Sequence, residues 1–139
     1  MTVHVINKKQ KENIEKKVAD FLQKRPEIIS AYLHGSFVEG DFRDVDIAVY
    51  LTGISKGEAL QYELNLESEL NKLTGFLVDV RILNHAPLSF RFSVIKNGLL
   101  LFSRDERIRC GFECLTITEY HDFEFLRGIY RKEALGIKV

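Results

Sequence analysis

The chain has 139 residues, 45% of them hydrophobic and 29% charged, with 9 Gly and 2 Pro; this is the size and make-up of one globular domain and excludes disordered, collagenous and low-complexity chains. Twenty Lys and Arg balance twenty Asp and Glu, so no strong nucleic-acid footprint or membrane-binding field exists, and any anion site must be local. The longest apolar runs, Ile47 to Leu51 and Leu99 to Phe102, fall far short of the roughly 20 residues that cross a bilayer.

Met1 to Gln10 carries no apolar block of the secretory kind, and Cys110 and Cys114 are the only two cysteines, so the expected compartment is the cytoplasm, with reduced thiols and no membrane partner. Asn7 and Gln10 are spaced as a capping box, and Ile14, Val18, Phe21 and Leu22 follow at helical period until Pro26, which predicts a first amphipathic helix. Ile28 to His34 (IISAYLH) is short, β-branched and aromatic and stops at Gly35; it reads as a buried strand followed by a tight turn into a helix. Asp44 to Leu51 alternates with a period of two and reads as a second strand. Ser55 and Glu58 open a helix with Ala59, Tyr62, Leu66, Leu70 and Leu73 on one stripe, closed by Gly75.

Phe76 to Leu83 reads as the third strand, Pro87 as the start of a short helix closing at Asn97-Gly98, and Leu99 to Phe102 as an edge strand. A two-residue Asn-Gly hairpin competes with that helix end. Ser103 and Glu106 suggest the start of a long last helix whose expected inner face is Ile108, Phe112, Leu115, Phe123, Leu126 and Tyr130. Residues 1–139 therefore read as a single α/β (α+β) domain: a small mixed sheet with helices packed on one face and a long C-terminal helix.

Asp44 and Asp46 are two apart on a strand, so they share a face, and Asp79 takes the polar face of the third strand. If those strands are neighbours, three carboxylates meet. Their mutual repulsion raises the pKa of at least one unless a divalent cation neutralises them, and oxygen ligands without imidazole or thiolate favour Mg²⁺ or Mn²⁺ with phosphate oxygens as further ligands. Just upstream, Gly35-Ser36 turns a strand into a helical start, where free backbone N–H groups suit a phosphate. Only Phe37 to Arg43 separates the two parts, a layout suited to phosphoryl transfer.

The segments HGSFVEGDFRDVDIAVY, LVDVRIL and APLSFRFSVIKNGLLLFSRDE resemble the minimal nucleotidyltransferase (MNT) domain of the DNA polymerase β-like superfamily over roughly residues 28 to 135. The resemblance implies that Gly35 and Ser36 bind a nucleoside triphosphate, that Asp44 and Asp46 bind two metal ions, and that Asp79 completes the catalytic and metal-binding trio. It further implies transfer of AMP from ATP to a hydroxyl, and similarity to antitoxins of HEPN/MNT toxin–antitoxin pairs, some of which adenylylate a tyrosine of the HEPN ribonuclease. A homo- or hetero-oligomer is consistent with such a partner. This chain has a shorter Gly-Ser to Asp-x-Asp connection than the family commonly shows, and Glu39 where an Arg often stands. Those departures support one alternative, a catalytically inactive binding module that neutralises its partner by contact; a small-molecule (antibiotic) nucleotidyltransferase is a separate alternative for the acceptor.

Each residue also has a plainer explanation. Ser36 and Glu39 are spaced as a capping box, Asp44 and Asp46 suit a solvated strand end, and Asp79 suits an ion pair with Arg. Arg43 and Arg81 are candidates for the triphosphate or ordinary surface charges. His34 suits a structural histidine. Cys110, Cys114 and His121 fall at helical spacing without an evident fourth ligand, so zinc is the weaker reading of them.

Overall fold

The computed structural model describes residues 3–134 and 136; residues 1, 2, 135 and 137–139 of the expected domain lie outside the described residues. In chain order the elements are α1 (Lys8–Gln23), β1 (Ile28–His34), α2 (Ser36–Glu39), β2 (Val45–Leu51), α3 (Lys56–Thr74), β3 (Val78–Ile82), α4 (Leu88–Asn97), β4 (Leu99–Ser103) and α5 (Glu106–Ala134). The expected caps form at the first two long helices. Asn7 Oδ1 accepts from Gln10 N–H at 2.8 Å while Asn7 N–H donates back to Gln10 Oε1 at 3.0 Å, and Ser55 Oγ accepts from Glu58 N–H at 3.3 Å. Gly75 closes α3 in the left-handed conformation at φ 78°, where a side chain would be strained. Asn97 ends α4 and Gly98 leads directly into β4, which removes the hairpin alternative.

The sheet order is β3-β2-β1-β4. β1 runs antiparallel to both β2 and β4, whereas β2 and β3 are parallel and are joined through α3, as parallel neighbours require a crossover. α1 and α3 cover one face, where Ile14, Val18, Leu66 and Leu70 pack on Ala31, Leu33, Ile47, Val49 and Val80. The second face is covered too, a correction to the expectation of helices on one face: Tyr32 and Ala48 pack against Val94 of α4 and Phe112 of α5. The reason is in the strands, because the residues alternating with the first core set are themselves largely apolar, and β1 is buried at every position but His34.

Two expectations about the last helix are also corrected. Its N-terminus is capped by Asp105, whose Oδ1 accepts from Ile108 N–H at 3.1 Å, because Ser103 belongs to β4 opposite Ser30. Of the expected inner face only Phe112 is buried; Leu115, Phe123, Leu126 and Tyr130 are 51–64% exposed. α4 has 10 residues and α5 has 29, or about 15 Å against about 44 Å at 1.5 Å per residue, so α4 can back only the first part of α5. The face turned to the body includes Thr116 and Tyr120, which stacks on Phe92 at 3.9 Å.

Candidate active site

Strand register brings the acidic groups together. Asp46 of β2 lies opposite Asp79 of β3 on one side and opposite His34 of β1 on the other. Directly opposed residues of neighbouring strands project to the same face, so His34, Asp46 and Asp79 form a row across three strands. Asp44, two residues before Asp46 and just outside β2, adds a third carboxylate at the same end. All four residues are partly buried.

The elbow after β1 touches this row. Gly35 has φ 72° and ψ −153°, a combination essentially restricted to glycine. A Cβ there would stand 2.4 Å from Asp46 Oδ2, so only a glycine lets the turn pass this close to the central carboxylate. Gly35, not Ser36, is the N-cap of α2 and makes no side-chain cap bond; the Ser36–Glu39 capping box therefore does not form. Phe37 anchors α2 in the core, edge-on to Phe42 at 4.7 Å.

Burial, then the Asp79 and Asp44 carboxylates, push the Asp46 pKa up to about 6, with Arg81 opposing. Burial is the largest of these causes, and the repulsion between converging carboxylates adds to it. Burial holds the His34 imidazole below its ordinary pKa, with Asp79 pulling the other way. His34 Nε2 and Asp44 Oδ1 are buried without a hydrogen-bond partner among the described residues. The donors suit a hard divalent cation, since they are carboxylate oxygens and one of them is an orphaned buried atom. They are not closed into a cage: among the described residues no group of three or more His, Cys, Asp or Glu is placed to hold a metal ion.

Asp79 does not form the cross-sheet ion pair; its Oδ2 lies 3.8 Å from Nε of Arg81 on its own strand. Arg43 is exposed and has no ion pair or hydrogen bond to the carboxylates among the described residues. Cys110 and Cys114 are free and exposed on α5, and His121 lies edge-on to Phe92 at 5.8 Å, an arrangement that gathers no zinc site.

Two supporting residues escape a reading of the sequence. Lys11 of α1 donates from Nζ to the carbonyls of Phe37, at 2.7 Å, and Gly40, which ties down the short connection between elbow and acidic pair. Glu67 of α3 accepts from Val80 N–H at 2.9 Å, next to Asp79 along β3; burial raises its pKa first, and the Asp79 carboxyl raises it further against the Val80 N–H. On the sequence Lys11 is one of several lysines on an amphipathic helix, and Glu67 is an ordinary charge on a helix surface.

Residues 16–107 of the 139 match the family described as Polymerase beta, Nucleotidyltransferase. Solved structures of similar fold include a tri-AMPylated Shewanella oneidensis HEPN toxin in complex with MNT antitoxin, at 21% identity and TM-score 0.69, covering 90% of this chain and 98% of that one. Another is the toxin–antitoxin MntA-HepT, at 21% identity and TM-score 0.68 over 89% of this chain and 98% of that one. A third is a toxin–antitoxin with AMP-PNP, at 24% identity and TM-score 0.66 over 87% and 98%. No curated protein sequence matches the chain.

Proposed function

The chain belongs to the polymerase beta nucleotidyltransferase family, and on that premise we propose that it transfers AMP from ATP to a hydroxyl, a tyrosine of a HEPN-type toxin, and thereby acts as that toxin's antitoxin. The observation that carries this reading is the contact between elbow and acidic row, in which only the missing Cβ of Gly35 lets the Gly-Ser turn lie against Asp46. A polyphosphate held at the turn is thereby set beside the carboxylates, which is the positioning that phosphoryl transfer chiefly needs. That toxin–antitoxin complexes and an AMP-PNP complex stand among proteins of similar fold supports the choice of partner and nucleotide.

Asp44, Asp46 and Asp79 would hold two Mg²⁺ or Mn²⁺ ions. When bound, these ions lower the pKa of the acceptor hydroxyl and neutralise charge on the triphosphate. In this reading Gly35 and Ser36 hold the triphosphate, with Arg43 as a further contact. Asp79, at the end of the row away from the elbow, receives the proton of the attacking hydroxyl.

A non-catalytic antitoxin that works by contact draws on one observation: Glu39, exposed on α2, places a negative charge beside the turn. Incubation with α-labelled ATP, Mg²⁺ and a candidate HEPN-type toxin separates the two. Label on the toxin that disappears in Asp44→Ala and Asp46→Ala supports transfer. Inhibition of the toxin without label supports contact alone, and label on an aminoglycoside in place of the toxin would move the acceptor to a small molecule.

A further inference from the structure

The second half of α5 carries an apolar stripe that nothing in the chain covers. Past Tyr120, which stacks on Phe92 of α4, Phe123, Leu126 and Tyr130 recur at spacings of three and four residues and so share one side of the helix. They are 51%, 64% and 60% exposed. Where α4 begins, the stripe runs into a groove of about 280 Å³ lined by Leu88, Ser89, Tyr120 and Phe123. Contiguous apolar surface of this kind marks an interaction site, whereas single exposed apolar residues do not.

The charges along the same stretch are sorted. Residues 119–124 carry Glu119, Asp122 and Glu124 and no Lys or Arg, whereas residues 125–132 carry Arg127, Arg131 and Lys132 and no acid. Such a helix complements a copy of itself turned end for end; a parallel copy would set acid on acid and base on base. A pair centred between Phe125 and Leu126 brings Glu124 level with Arg127 and Glu119 level with Lys132. The same centre sets Tyr130 of one copy level with His121 of the other, at the groove between Tyr120 and Phe123. Charge order and groove position thus select one register. Glu124 and Arg127 already pair along their own helix at 2.6 Å, so a two-fold axis would join two such pairs into one network. With 20 basic and 20 acidic side chains in each chain, two copies meet without net repulsion.

We propose that this face of α5 binds a second copy of the chain, helix against helix, antiparallel about a two-fold axis. A two-fold interface uses the same patch on both copies, which is what the sorted charges provide. Covering the exposed parts of Leu115, Phe123, Leu126, Ile129 and Tyr130 on both copies removes on the order of 1,000 Å² of surface. That is the lower limit for a specific interface, so the dimer is reversible, with a Kd of micromolar order. None of these residues belongs to the acidic row or the elbow, and the dimer stands or falls independently of the transferase reading.

Sedimentation equilibrium of the full chain from about 5 µM to about 500 µM should follow a monomer–dimer curve. Leu126→Glu, at the centre of the pair, should raise the Kd about ten-fold or more while keeping the wild-type circular-dichroism spectrum. A charge exchange separates pairing from folding. Asp122→Lys with Glu124→Lys makes the stretch mostly basic, and Arg127→Glu with Arg131→Glu makes it mostly acidic; each double variant alone should stay monomeric, and an equimolar mixture should pair. Direction is read from a nitroxide on Cys114, exposed on α5, in a Cys110→Ser background. The antiparallel register predicts a separation of about 35 Å between labels, against about 10 Å for a parallel pair. A chain monomeric throughout, with or without a HEPN-type toxin captured on this face, would overturn the proposal. So would a dimer indifferent to Leu126→Glu, a mixture that fails to pair, or the parallel separation.

Discussion

Gly35 is the residue on which the proposed site turns, because its backbone occupies space beside Asp46 that no side chain can share. Gly35→Ala should cost about 1–3 kcal/mol of stability from backbone strain and push the Asp46 carboxyl out of line, seen as a lowered Tm together with loss of ATP binding. Asp46 makes a second, independent prediction. Its folded pKa of about 6 stands above its ordinary 3.8, so the stabilising increment from its protonated form is complete below pH 3.8 and is lost as pH rises through about 6. Carboxyl-carbon NMR of the metal-free protein should show that titration near 6, and Mg²⁺ should move it downwards; a midpoint near 3.8 would remove the convergence of charges. The shared face of Asp46 and Asp79 was legible in the sequence because alternation on a strand fixes which face a residue takes, whereas Asp44, read as the first residue of the second strand, falls just outside β2. Glu67 was not, since its bond to the Val80 N–H beside Asp79 depends on how α3 lies along β3.

Elements decide how rigidly those residues are held. Glu63, Glu67 and Asn71, each four apart on α3, accept in turn from the Ile82, Val80 and Val78 N–H groups of β3 at 2.9, 2.9 and 2.7 Å. They seal the edge of the strand that carries Asp79, an edge that would otherwise be open to pairing. Glu67→Ala should destabilise the fold by about 1–2 kcal/mol through the unpaired Val80 N–H, measured by denaturant unfolding, and should lower transfer by loosening Asp79. Lys11 does the same work for the elbow, and Lys11→Met should cost roughly 1–2 kcal/mol and raise the KM for ATP more than it lowers kcat. Strand positions, helix caps and the Pro87 start were readable because each has a local chemical cause. The start of α5 was not, because Ser103 is claimed by pairing with Ser30 of β1, a long-range partner invisible in a local window.

At the scale of the whole molecule, the sheet's two covered faces have different tasks. The α1–α3 face holds the larger apolar core, while the α4–α5 side carries the smaller cluster of Tyr32, Ala48, Leu83, Val94 and Phe112 beside the His34–Asp46–Asp79 row. Helical period in α5 correctly announced a helix but not what it packs on, for its apolar stripe outruns the 10-residue α4. Leu126→Glu, 64% exposed in the wild type, should change the chain's own stability by no more than about 0.5 kcal/mol, checked by thermal melting. No helix among the described residues is long and apolar enough to cross a membrane. The most direct measurement is a crystal structure with Mn²⁺ and a non-hydrolysable ATP analogue, recorded with anomalous data. Manganese peaks among the Asp44, Asp46 and Asp79 carboxylates, with the polyphosphate on Gly35 and Ser36, are the expected result; nucleotide bound elsewhere, or carboxylates left without metal, would contradict it.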